Sequence, residues 1–197
     1  MAHGKKGSSR DVHLIERLVR KNLVYRGKSV GLRVDEIRLP DGRAATREFL
    51  DHPGAVGVVP VLADGSIVLV RQYRHPVGEV TLELPAGKID KGEAPLACVR
   101  RELREETGYG ARRITPLLEY WPTPAFSNEL LRLYVAEGLT PGRHRPDQDE
   151  FLEVVRMPFD RALGLVRSGK IRDSKTALGL AACALWRRRQ NYTKLFP

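Results

Sequence analysis

A chain of 197 residues, 42% apolar and 29% charged, has the size and composition of one globular domain with room for a small appendage. Its longest apolar runs, 55–63 and 177–186, are too short to span a bilayer, and the opening MAHGKKGSSR lacks the apolar core of a secretory signal. The formal net charge is +10, but the positive residues are spread from Lys5 to Arg189 without zinc-finger spacing or an RNA-recognition signature. That pattern argues against a nucleic-acid binder and for a basic surface facing an anionic substrate.

In chain order, residues 1–10 read as a disordered basic tail with too little apolar content to bury. Residues 11–52 read as a small unit: a short helix over 11–21, then strand-like alternation at Val30, Leu32 and Val34, the turn Pro40-Asp41-Gly42, and a strand over 43–50. The main domain is assigned to 53–197. Its first strands, 55–62 and 66–73, flank Asp64-Gly65 as a predicted hairpin, and 79–84 is a third strand. A helix is predicted over 94–107 with Gly108 as its stop. Strands follow at 117–121, 130–136 and 151–157, with a polar loop over 138–149. Helices at 160–167 and 174–189 close the chain, the second capped by Asp173 or Ser174. Strands interleaved with three helices imply a mixed sheet covered on both sides, an α/β fold. Cys98 and Cys183 both fall in predicted helices and read as buried free thiols, which gives a cytoplasmic address.

The most informative stretch is GKIDKGEAPLACVRRELREETGY, residues 87–109. Helical spacing sets Glu102 and Glu106 one turn apart, with Glu105 beside them. Like charges at those spacings repel, and a divalent cation with hard oxygen ligands is the expected compensation. The stretch also carries Gly87, Glu93, Arg101, Glu102, Glu105, Glu106 and Gly108 in an ungapped frame. Seven fixed residue types at roughly 7% usage each coincide by chance on the order of 10⁻⁸ per starting position. This frame resembles the Nudix signature, and the flanks Arg71-Gln72-Tyr73-Arg74, Glu83-Leu84-Pro85-Ala86-Gly87-Lys88 and Pro122 to Glu129 resemble the ADP-ribose pyrophosphatase branch of that family, with Asn128 where an aspartate is common.

The resemblance implies the family's α/β/α sandwich and a Mg²⁺-dependent hydrolase (Mn²⁺ being the second option) that splits ADP-ribose into AMP and ribose 5-phosphate. ADP-glucose or GDP-mannose is the alternative substrate, and a non-catalytic nucleotide-sugar sensor is the contrasting class. It implies metal ligation by Glu102, Glu105, Glu106 and the Ala86 carbonyl, with Gly87, Glu93 and Gly108 shaping the loops. Arg101 is expected to hold that shape and is grouped with the catalytic residues Glu105 and Glu150. Glu150 is the implied general base, with Asp149, Glu153 and Glu105 left open. Arg74, Arg47, His52, Phe126 and Ser127 are the implied substrate contacts. The N-terminal strands are expected to join two copies into a homodimer.

Overall fold

Strands β3 (Gly31–Arg38) and β4 (Ala44–Asp51) are joined by a turn in which Gly42 takes the left-handed region at φ 89°. The computed structural model describes residues 9–144 and 151–195. β3 pairs antiparallel with β4 along one edge and with β1 (Arg17–Arg20) and β2 (Leu23–Arg26) along the other. The helix predicted over 11–21 does not form. A 3₁₀ segment covers Ser9–Leu14 and the chain then enters β1. Its apolar spacing suited a helix, but the open edge of β3 offers hydrogen bonds that a short isolated helix cannot match. The segment Thr123–Glu129 belongs to this same compact unit as the chain up to His52.

The second unit spans Pro53–Pro122 and the chain from Leu130 onward. β5 (Ala55–Pro60) is buried along its whole length. It pairs parallel with β10 (Leu131–Pro141) and antiparallel with β8 (Ala86–Lys88), and β9 (Tyr109–Tyr120) extends the sheet beyond β10. A second, antiparallel sheet has the order β11 (Leu152–Pro158), β6 (Ser66–Arg74), β7 (Glu79–Glu83). The period of two divides the core. Ala55 and Val59 of β5 and Leu131, Leu133 and Val135 of β10 cluster with Leu180 and Cys183 of α3 (Ser174–Leu195) and with Phe159 and Ala162 of α2 (Phe159–Arg167). Val56, Val58, Tyr134 and Ala136 instead cluster with Cys98, Val99 and Leu103 of α1 (Pro95–Thr107). Helices therefore cover both faces, an α/β/α sandwich around a mixed sheet, as the alternation of strands and helices implied. Among the described residues no helix is long and apolar enough to cross a membrane.

The hairpin predicted across Asp64-Gly65 forms only at its tip. Leu62 N–H donates to the Ser66 carbonyl at 2.8 Å and a single bridge joins Val61 to Ile67, after which β5 and β6 part into different sheets. Both strands are apolar on both faces, so each needs its own flanking strands and cover. β10 likewise runs five residues past the predicted strand end at 136, because β9 pairs with it as far as Tyr109 opposite Pro141.

Candidate active site

Helix α1 begins at Pro95, whose missing N–H costs nothing at the first turn, and stops at Gly108, left-handed at φ 76°. A Cβ there would also press on the His144 nitrogen and the Gly142 carbonyl. Cys98, Val99 and Leu103 anchor one side of α1 in the core, and Glu102 and Glu106 are buried as well. Two buried carboxylates one turn apart are costly unless they are well partnered.

Arg101 is the first partner. Its Nε and Nη2 donate to the two Glu93 oxygens at 3.0 Å each, and its Nη1 donates to Glu102 at 2.7 Å and Glu105 at 3.0 Å. Nη2 also reaches the Lys88 carbonyl at 3.2 Å. One guanidinium thus ties the loop before α1 to the middle and last turns of that helix. The hydrogen bonds from Arg101 hold the Glu93 carboxyl down at about 2, and Glu93 in turn raises the Arg101 pKa. Burial pushes the neighbouring Cys98 thiol up to about 12, so it stays protonated. Arg101 thus offsets part of the repulsion among these carboxylates.

The remaining donors face the start of β8 at Ala86 and Gly87. Glu106 Oε2 accepts the Ala86 N–H at 3.0 Å. The Glu102 carboxylate fills the space that a Cβ on Gly87 would take, which is why glycine stands there. No three His, Cys, Asp or Glu side chains among the described residues already converge as a metal cage. The donor set still fits a hard divalent ion, since the carboxylate oxygens of Glu102 and Glu106 meet the backbone of Ala86 and Gly87 at one strand–helix junction.

A second charged cluster lies at the end of β7. Glu83, 1% exposed, accepts Arg74 Nε at 2.8 Å and Nη2 at 2.7 Å, Thr81 Oγ1 at 2.5 Å, and a short contact from Lys175 Nζ. Burial alone would raise the Glu83 pKa, but Arg74 and Lys175 outweigh it and hold the carboxyl at about 2. Glu83 correspondingly raises the Arg74 pKa. Because Glu83 and Glu93 titrate near 2 in the folded chain against an ordinary 4.5, their stabilisation is complete above about pH 4.5 and is lost as pH falls through 2. Thermal melts from pH 6 to 2 should therefore show a Tm that declines below about 4.5; a flat Tm there would contradict these pairings.

The NUDIX domain matches residues 51–177. Over 85% of this chain and 91% of its own length, the ADP-ribose pyrophosphatase of Bacillus subtilis is 39% identical. The methanol dehydrogenase activator of Bacillus methanolicus is 38% identical over 84% of this chain and 90% of its own. A crystal structure of an ADP compounds hydrolase superposes with a TM-score of 0.77 at 24% identity, covering 89% of this chain and 95% of that one. The chain belongs to the Nudix hydrolase family.

Members of the Nudix family are generally divalent-metal dependent, and the residues of the signature at 87–109, the Nudix box, are those described above. The other sequence-implied contacts sit in the first unit. Arg47 is paired with Glu16 and donates to the Thr46 carbonyl at 2.9 Å. His52 lies 3.9 Å from Glu129, and its N–H donates to Asn128 at 2.7 Å. Phe126 is exposed, and its carbonyl accepts the Leu50 N–H at 2.9 Å, while Ser127 bridges to Leu50. His52, Phe126 and Ser127 are thus gathered at the end of β4, with Arg47 further back along that strand. Asn128 accepts from His52 and donates to Asp51 at 2.6 Å, so an aspartate here would set two carboxylates against each other. That accounts for the departure from the branch pattern. Glu153 stands opposite Arg71 on β11 and pairs with it at 2.6 Å. Glu150 and Asp149 lie outside the described residues. Sequence reasoning passed over Lys175 and gave Glu83 no role of its own. Asp173 or Ser174 is the expected cap of α3, but Lys175, the second residue of that helix, carries no motif that would tie it to β7.

Proposed function

We propose that this chain hydrolyses ADP-ribose to AMP and ribose 5-phosphate with Mg²⁺, Mn²⁺ being the second ion able to serve. The observation that carries the reading is the meeting of Glu102 and Glu106 at Ala86 and Gly87, in a chain that resembles an ADP-ribose pyrophosphatase over most of both lengths. Glu102, Glu106, Glu105 and the Ala86 carbonyl are the proposed metal-holding groups. When bound, the ion would neutralise charge developing on the diphosphate and acidify water. Glu93 and Arg101 keep the loop and helix in register, and Gly87 leaves room for the Glu102 carboxylate. Arg74, whose side chain is half-exposed, is the proposed phosphate arm, because its planar fork matches phosphate oxygens. Arg47, His52, Phe126 and Ser127 are proposed to contact the rest of the substrate. Water attacks phosphorus, the bridging oxygen leaves with the other phosphate, and a carboxylate accepts the proton of the water. Glu150 is proposed for that last role, with Glu105 as the other choice. Glu150→Gln and Glu105→Gln compared side by side assign it to the variant with the larger kcat loss.

A panel of ADP-ribose, ADP-glucose, GDP-mannose, NADH and diadenosine polyphosphates with Mg²⁺ tests the reading. ADP-ribose should give the highest kcat/KM, with AMP and ribose 5-phosphate as products. Preference for GDP-mannose would replace ADP-ribose as the substrate, and binding without turnover would favour the sensor.

A homodimer in the cytoplasm is also proposed. β1 and β2 are exposed throughout, with Leu18, Val19, Leu23, Val24 and Tyr25 uncovered, a surface that calls for a partner. Both cysteines are free thiols, as a reducing compartment keeps them. Light scattering should report a dimer, and Leu18→Asp with Leu23→Asp should shift it toward monomer. An unchanged dimer would place the interface elsewhere.

A further inference from the structure

Glu83 accepts hydrogen bonds from two cations, Arg74 and Lys175, and both Glu83 and Lys175 are buried. If Arg74 were its only counter-ion, the guanidinium and the carboxylate would cancel, and an incoming anion would meet a neutral pair. Lys175 changes that balance. It also lies 3.1 Å from Asp173, but Asp173 is satisfied separately: its carboxylate accepts the Thr176 N–H at 2.9 Å and the Thr176 hydroxyl at 2.5 Å at the start of α3. There the partial positive charge of a 22-residue helix offsets an acid. The four side chains are formally neutral, two cations against two acids, and the α3 N-terminus adds about half a positive charge beside Asp173, so with Lys175 in place the cluster leans positive at Arg74 instead of negative. The same turn of α3 fixes the approach to the box, because Leu84 N–H donates to Thr176 Oγ1 at 2.8 Å, two residues before Ala86.

We propose that Lys175 is a positioning residue of the diphosphate site: it balances Glu83, so that Glu83 orients Arg74 while the positive charge of Arg74 stays available to the anionic substrate. This inference rests on the reading of Arg74 as the phosphate arm. Glu83 supplies geometry by gripping Nε and Nη2, which leaves Nη1 free of that grip on a side chain 45% exposed. Lys175 supplies charge and touches no substrate.

Steady-state kinetics on ADP-ribose test it. Lys175→Met should raise KM about tenfold, the weight of one charge-assisted hydrogen bond, with kcat within about threefold. Lys175→Arg should restore KM, because it keeps the charge. Glu83→Gln/Lys175→Met removes anion and cation together but leaves only one acceptor for the Arg74 fork, so its KM should fall below that of Lys175→Met without reaching the parent value. A role in packing alone predicts a lowered Tm with KM unchanged in Lys175→Met, and that result overturns the inference. If Lys175→Met does not fold, Lys175→Gln decides: a KM about tenfold above the parent supports charge balance and a parent-like KM overturns it. Arg74→Ala separates the two claims. Should Arg74→Ala leave KM unchanged, the phosphate-arm reading fails and takes this one with it. A raised KM there beside an unmoved Lys175→Met sinks only the role of Lys175.

Discussion

Glu106→Gln should lower kcat/KM on ADP-ribose by about 10³-fold, or ~4 kcal/mol of transition-state stabilisation. Glutamine keeps the volume and can still accept the Ala86 N–H that Glu106 Oε2 accepts at 3.0 Å. The start of β8 should therefore hold its place while one charge disappears from the proposed metal set. Thermal stability should change little or rise, because a buried carboxylate, 3% exposed, is replaced by a neutral amide. Activity and calorimetric Mg²⁺ or Mn²⁺ binding are measured together. Loss of both identifies Glu106 as a ligand, whereas a rate within about threefold of the parent removes it from the set.

Gly87→Ala should cost about 10²-fold in kcat/KM with less than ~1 kcal/mol of stability. The backbone at Gly87 is not in the left-handed region, so alanine carries no conformational strain there. The added Cβ would instead fall within the Glu102 carboxylate. That carboxylate ends a flexible side chain and can swing away, which makes the substitution cheap for folding and damaging for ligand geometry. Melting curves beside the parent-like ones, with activity lost, are the expected pair of results. If activity survives, Glu102 reaches its working position from another rotamer and the glycine serves β8 alone.

The two predictions separate charge from geometry at one junction, and the sequence announced each to a different degree. Spacing alone put Glu102, Glu105 and Glu106 on one helix face and named Gly108 as the stop, because those depend on a 3.6-residue repeat and on local backbone preference. It did not foresee that Glu102 fills the space beside Gly87, since that is a contact between a helix and a strand fifteen residues back. Arg101 was expected to pair with Glu93 or with the metal-set glutamates, and Glu102 and Glu105 lie within one turn of it on the same helix. Only its reach to the Lys88 carbonyl depends on the packing of α1 beside β8.

Elsewhere the division follows the range of the interaction. Turn residues and alternation marked β3, β4, β7 and the capped helices α1 and α3 directly, and the interleaving of strands with helices implied the sandwich. The chain could not say by itself that β5 and β6 part after one bridge, that 11–21 is drawn into the edge of β3, or that β10 continues through a polar stretch, because in each case a distant strand supplies the hydrogen bonds. The same holds at the site. The carboxylates of residues 87–109 are a local pattern, legible in sequence order. The cluster of Arg74, Glu83, Lys175 and Asp173 spans about half the chain, and only the packing of α3 against β7 brings its charges within hydrogen-bonding distance.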